Sequence, residues 1–199
     1  VIKDNGAIVL FAQVPFSIVL GASNLEMLRY NLIWEKTMAV GHLNAKKAPL
    51  KAHEEILVFY KHLPTYNPQM TKGEPYRKVA GIDNSTNYGK QDRVGRVTES
   101  DERYPRSVLK FANPNNGLDA WHPTRKAVPL LEYLLKTYTN EGDLVLDSCA
   151  GSMSTVHACL LTNRKYLAFE KDEAYFVRGC ERIERVKKEI SECTTSETE

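Results

Sequence analysis

The stretch Asp143-Leu144-Val145-Leu146-Asp147-Ser148-Cys149-Ala150-Gly151-Ser152-Met153-Ser154 decides how this chain is read. An apolar run ends in Asp, bends through glycine and enters a helical pattern, as when a buried parallel strand delivers the chain to a small-molecule turn. The helix after such a turn offers unpaired backbone N–H groups and the positive end of its dipole, so an anionic or polar ligand fits there. Thr155 to Leu161 reads as that helix, and Thr162-Asn163 stop it. Lys165-Tyr166-Leu167-Ala168-Phe169-Glu170 then reads as a second strand closing in an acid, the residue type that grips a ribose hydroxyl pair. Many doubly wound domains without a nucleotide share this pattern, so by itself it leaves both readings open.

Outward from this unit, Val128, Leu131, Leu134, Leu135 and Tyr138 recur at helical spacing. The segment His122-Pro123-Thr124-Arg125-Lys126-Ala127 opens that helix and Asn140-Glu141-Gly142 closes it. On the other side, a covering helix is expected from about Ala174 to Ile190, with Phe176, Cys180, Ile183 and Ile190 on one face. Pairs Glu181–Arg185 and Glu184–Lys188 support its outer side, and the tail 191–199 is expected to be disordered. Near the amino end, Ala7 to Ala12 reads as a buried strand, and Pro15 can open a short helix carrying Phe16, Val19 and Leu20. The strands Tyr30 to Lys36 and Ile56 to Lys61 suit an antiparallel pair, joined by a loop holding Lys46, Lys47, Pro49 and Lys51. Residues 62–116 are the least regular, with one expected strand at Ser107 to Phe111. From Lys61 to Arg106 there are nine Lys/Arg against six Asp/Glu, with Tyr66, Tyr76, Tyr88 and Tyr104 interleaved. That mixture suits phosphate contacts and base stacking, against the alternative of a solvated loop with ordinary surface tyrosines.

The 199 residues suit one domain over 1–190, and 42% hydrophobic residues supply its core. No apolar run approaches the roughly 20 residues a bilayer needs, and no signal-peptide pattern opens the chain, so a soluble, cytoplasmic protein is expected. Cys149, Cys159, Cys180 and Cys193 include no Cys-x-x-Cys pair, which argues against a zinc site or disulfide framework. A net charge of +2 permits an anionic partner without requiring one.

The run Leu131-Glu132-Tyr133-Leu134-Leu135-Lys136-Thr137-Tyr138-Thr139-Asn140-Glu141-Gly142-Asp143 leads into Val145-Leu146-Asp147 before Gly151-Ser152, and Asn163-Arg164-Lys165-Tyr166 stands before Phe169-Glu170. Together these stretches resemble the carboxyl half of a DNA amino-methyltransferase. Further matches are Trp34-Glu35-Lys36, Asn44-Ala45-Lys46-Lys47 and His53-Glu54 before Ile56 to Lys61, so the resemblance runs in order over nearly the whole chain. It is to the group, found in phage and restriction-modification systems, whose target-base motif precedes the S-adenosylmethionine motif. It implies a Rossmann-like three-layer α/β/α sandwich, mostly parallel, with an antiparallel hairpin from the Tyr30 and Ile56 strands. Asp147, Gly151 and Ser152 would line the methionine end of S-adenosylmethionine, and Glu170 would accept the ribose hydroxyls. His122, Thr124 and Lys126 match a His-Pro-Thr-x-Lys element that reaches the same cofactor. The target would be a base rotated out of double-stranded DNA, because an exocyclic amine inside the stack cannot meet the sulfonium methyl in line. Lys36, Lys46, Lys47 and Arg106 are candidates for DNA phosphates, and 62–116 is the candidate DNA-contacting insert.

Two departures from the family pattern matter. The target-base tetrapeptide, Asp, Asn or Ser followed by Pro-Pro and an aromatic, does not occur, since none of the nine prolines adjoins another. No catalytic residue is therefore assigned. In this group the motif lies upstream of the Ala7 strand, and the chain opens on Val1, so an amino-truncated chain is expected. Its sheet would lack a central strand and be poorly stable unless a second copy, as in a homodimer, or a complementing amino-terminal segment fills the gap. The family's Gly-Ser-Gly reads Gly151-Ser152-Met153, and a Met at φ > 0 is strained, which predicts weakened cofactor binding. Ala127 replaces the usual proline after Lys126, a milder change. Adenine-N6 methylation of DNA is the leading expectation. A non-catalytic relative that binds DNA or a partner, and a cytosine-N4 enzyme, are the alternatives.

Overall fold

A computed structural model gives the fold and describes residues 2–81, 95–114, 121–122 and 125–196. The chain divides into two units, one built from residues 1–67 and 107–199 and the other from 68–106.

The first unit opens with β1 (Ile8–Ala12) and a short helix α1 (Phe16–Ala22). Two long strands follow, β2 (Leu28–Val40) and β3 (Lys51–Phe59), separated by a 3₁₀ turn at His42–Asn44. They pair antiparallel as the sequence predicts, and both extend further than the apolar residues alone suggest. Paired cross-strand polar residues such as Glu35 opposite His53 carry the ladder beyond the apolar core.

The four-stranded sheet has the order β1-β3-β2-β6 once the strand Val108–Phe111 is added as β6. Only β2–β6 is parallel; β1–β3 and β2–β3 are antiparallel. A separate parallel pair joins β7 (Leu144–Asp147) to β8 (Lys165–Ala168). The sheets are thus mixed rather than mostly parallel. Among the described residues β1 pairs only with β3, and β7 only with β8. Leu144 and Leu146 on β7 remain 64% and 48% exposed, so that strand keeps an open apolar face.

Helix α2 (Val128–Tyr138) holds the two sheet pieces together. Leu130, Leu134 and Tyr138 pack on Trp34, Ile56, Val58 and Leu109 of the larger sheet. Leu131 and Leu135, a step round the helix, pack on Ala158 and Cys159 of α3 (Ser154–Leu161), with Phe11 and Val145 against the same cluster. Burying each aliphatic side chain contributes about 1.5–3 kcal/mol, so the two-sided stripe on α2 is a main source of cohesion. The helix begins at Val128, later than the expected opening at His122. Pro129 lies in its first turn, where a missing N–H costs nothing, and Ala127 before it is extended at φ −68°, ψ 124°.

Helix α4 (Glu173–Ser196) covers β8 and α3, and it continues through the segment 191–196 expected to be disordered. Asp172 opens it, accepting the Tyr175 N–H at 2.9 Å.

The second unit corrects the expectation of an irregular region without strands before Ser107. It is an antiparallel ribbon of β4 (Thr71–Val79) and β5 (Val97–Arg103). Gly73 and Pro75 inside β4 and the charged run of β5 hide the strands, because neither face of the ribbon is apolar enough to show alternation.

Candidate functional site

Asp147 and Glu170 come together because β7 and β8 are adjacent and parallel, with Asp147 in register with Ala168. Asp147 folds its carboxylate back to accept the Cys149 N–H at 3.1 Å, and Ala150 donates its N–H to the Phe169 carbonyl at 2.9 Å. These bonds pin the turn that carries Gly151 and Ser152. Gly151 lies at φ +49°, a left-handed conformation that favours glycine. Its N–H donates to Glu170 Oε2 at 2.8 Å, while the Asp172 N–H donates to Glu170 Oε1 at 2.9 Å. The Asp172 and Gly151 N–H groups together hold the Glu170 carboxyl below the usual carboxylate range, against the opposing effect of desolvation.

His122 closes the other side of the turn. A Cβ on Gly151 would lie 2.5 Å from His122 Nε2, so the ring packs directly over the glycine backbone. Burial lowers the His122 pKa, and the Lys126 charge adds to that effect while Glu170 opposes it. Trp121 and Tyr175 extend the imidazole into an aromatic wall, with the His122–Tyr175 centroids 4.7 Å apart and the Trp121–Tyr175 centroids 5.8 Å apart. Neither Trp121 nor Tyr175 is among the residues the sequence singles out. One adjoins His122 and the other follows Glu170, and that proximity to two candidate residues was the available signal.

Met153 stands at φ +56°, the left-handed conformation expected to strain it. Its side chain is buried with Ala150, Val156 and Ile183, and it points under Gly179 of α4, where an added Cβ would lie 2.9 Å from Met153 Cγ. The glycine in α4 thus makes room for the methionine. Arg182, also on α4 and 4% exposed, donates to the Ser152 carbonyl at 2.6 Å and to Ser154 Oγ at 3.0 Å. It clamps the turn from beneath, a role that the expectation of a plain covering helix overlooks. An arginine next to Ile183 on the packed side of the helix was the signal.

Lys126 is drawn elsewhere. Its Nζ lies 3.4 Å from Glu54 Oε2 and 5.3 Å from the centre of the Phe11 ring. Lys36 reaches the same carboxylate at 2.5 Å, with side-chain exposures of 12% for Lys36 and 10% for Glu54. Burial alone would raise the Glu54 pKa, but the Lys36 hydrogen bond and the Lys126 charge outweigh it and leave the pKa lowered. Lys36 therefore neutralises Glu54 beneath the surface. Lys46 and Lys47 are exposed just after the 3₁₀ turn, and Arg106 is exposed at the end of the ribbon unit. Thr124 lies outside the described residues. Among the described residues no group of His, Cys, Asp and Glu could hold a metal ion, and no helix is long and apolar enough to cross a membrane.

A family of proteins described as DNA methylases matches residues 1–178 of this sequence. The chain belongs to that DNA amino-methyltransferase family. Among curated relatives, the DNA adenine methyltransferase YhdJ of Escherichia coli strain K12 is 31% identical over 85 residues, 42% of this chain and 29% of YhdJ. The fold is similar to that in the crystal structure of the M1.HpyAVI–SAM complex, with a TM-score of 0.65 and 22% identity over 91% of this chain and 76% of that one. It is also similar to the cytosine-N4-specific PvuII DNA methyltransferase, with a TM-score of 0.62 and 17% identity over 89% of this chain and 64% of that one. The chain spans between 29% and 55% of the length of the curated relatives it matches.

Proposed function

We propose that this chain carries the S-adenosylmethionine-binding part of a DNA adenine-N6 methyltransferase. The observation that carries the reading is the turn itself: a left-handed Gly151 held against Glu170 at the ends of two adjacent parallel strands. Asp147, Gly151 and Ser152 bind the methionine end at the turn between β7 and α3. Glu170 accepts two backbone N–H groups, and a carboxylate has roughly four lone-pair sites, so capacity remains for the ribose hydroxyls. Trp121 and Tyr175 offer aromatic faces suited to the flat adenine ring. His122 closes the site over Gly151, while Lys126 of the same segment is held by Glu54. When bound, the cofactor supplies an electrophilic sulfonium methyl.

In this reading the complete fold is a three-layer sandwich in which a further strand joins β1 to β7, the two edges that share the α2–α3 core. That strand can come from a complementing segment or a second copy. Lys46, Lys47 and Arg106 contact phosphates of double-stranded DNA, while Lys36 is committed to Glu54. Adenine is preferred over cytosine because the adenine-specific relative is similar at the level of sequence, whereas the cytosine-N4 enzyme is similar in fold. The cytosine-N4 alternative rests on that fold likeness.

Isothermal titration of S-adenosylmethionine tests the cofactor site. Low-micromolar binding, about −8 kcal/mol, is expected, and Glu170→Gln should weaken it by roughly tenfold or more. A well-folded parent that binds no cofactor would sink the reading. Transfer of labelled methyl to duplexes containing only one class of exocyclic amine, assayed with any complementing segment present, then separates adenine from cytosine.

A further inference from the structure

We infer that one face of the β4–β5 ribbon, the face bearing Lys78 and Arg96, lies against the phosphate backbone of duplex DNA; this rests on the DNA reading above. The two faces of the ribbon differ in how their charges are compensated. Arg77 and Glu99 are directly opposite in register and share one face, where Arg77 Nε meets Glu99 Oε1 at 2.9 Å; Val79 and Val97 follow on the same side. Lys78 is opposite Thr98, and Tyr76 is opposite Ser100, on the other face.

Alternation along each strand adds Ala80 and Arg96 to the Lys78 face. Lys78, Ala80, Arg96 and Thr98 line one recess of about 340 Å³. Lys78 and Arg96 make no ion pair or side-chain hydrogen bond among the described residues, and no carboxylate shares this face over the regular stretch from Tyr76 to Ala80 and from Arg96 to Ser100. The result is two uncompensated cations beside the Thr98 and Ser100 hydroxyls and the Tyr76 ring, with the Arg103 guanidinium 4.4 Å from the centre of that ring. Phosphate oxygens accept from such donors. A two-stranded ribbon also has the dimensions to enter a major groove. The opposite face, with its cation already neutralised, has less to offer a polyanion.

The test is binding of the full chain to a fluorescently labelled mixed-sequence duplex, followed by anisotropy between about 50 and 200 mM salt. Replacing both cations, Lys78→Gln with Arg96→Gln, should make the log–log salt slope shallower by about 1.8 and weaken binding about ten- to a hundredfold near 100 mM. Arg77→Gln with Glu99→Gln should leave the slope unchanged. The exchange Lys78→Arg with Arg96→Lys should also keep it, which guards against reading an unfolded ribbon as a lost contact. A parent slope retained in the Gln pair, or equal losses from variants on the two faces, would overturn the inference while leaving the DNA reading intact. Absence of duplex binding by the parent would overturn the DNA reading itself.

Discussion

Glu54 and Glu99 each sit near a cation across an antiparallel ladder, yet the two contacts belong to different physical regimes. Glu54 is 10% exposed in its side chain and lies between Lys36 and Lys126; Glu99 is 66% exposed and faces Arg77 on the ribbon. A buried carboxylate stripped of its cations, or buried cations stripped of their carboxylate, has no water to fall back on. An exposed pair exchanges one another for solvent at little cost. The first unit is therefore sensitive to single charges, whereas the ribbon can hold charge free for a partner.

The largest effect should come from Glu54→Ala, which leaves Lys36 buried without the carboxylate it neutralises. Urea unfolding should show a loss of about 3–5 kcal/mol, the range for breaking a buried ion pair. The pH dependence follows from the lowered pKa of Glu54 in the folded chain. Its contribution is fully present above the unfolded carboxylate pKa and is lost as pH falls through the lower folded value. Glu54→Gln should lack that component of acid sensitivity. An unfolding midpoint that responds to acid identically in the parent and Glu54→Gln would place Glu54 in the same regime as Glu99.

Next in size is Gly151→Ala. The residue stands at φ +49°, and its new methyl would meet the His122 ring at 2.5 Å, so the ring must move or the turn must open. Left-handed backbone costs a non-glycine residue roughly 1–2 kcal/mol before that displacement is counted. A loss of about 2–3 kcal/mol in thermal melts and a drop of roughly tenfold or more in S-adenosylmethionine affinity by calorimetry are expected. Intact affinity would mean that the glycine backbone is not part of the cofactor surface.

The same contrast explains how much of the molecule could be read in advance. Asp147, Gly151 and Glu170 were visible because an apolar parallel pair has a strong local signature, an apolar run ending in a polar residue and glycine. The ribbon was not, because exposed strands held by charges and backbone bonds carry no apolar alternation, and Gly73 and Pro75 argue against a strand at all. The strain at Met153 was also visible, since φ > 0 at that turn is a backbone requirement. Its accommodation was not, because the space comes from Gly179, far along the chain, and only the packing of α4 brings the two together. Lys36 illustrates a signal that was present but unused. Once the hairpin register sets Trp34 opposite Glu54, a lysine two residues along the same face falls beside that carboxylate and becomes a structural charge.

Met153→Gly should have a smaller, mixed effect. It relieves left-handed strain of roughly 1–2 kcal/mol but removes a buried side chain whose loss typically costs about 2–5 kcal/mol. A net destabilisation of about 1–2 kcal/mol is expected in urea unfolding. Because the thioether points under α4, cofactor affinity should change less than about threefold, which sharpens the weakening expected from the sequence into a question of stability. Recovery of binding from an inactive parent would reverse that assignment.

The smallest effect is expected from Arg77→Ala. Its guanidinium is 64% exposed, and the Glu99 carboxylate it leaves behind is 66% exposed, so water replaces the lost partner on both sides. Exposed pairs contribute about 0.2–1 kcal/mol, and added salt should erase even that difference between variant and parent. The measurement is a thermal melt at two salt concentrations, beside Glu54→Ala under the same conditions. If Arg77→Ala proves as damaging as Glu54→Ala, and equally so in high salt, then the ribbon is held by its charges. Lys78 and Arg96 would then belong to its framework instead of to a surface kept open for phosphates.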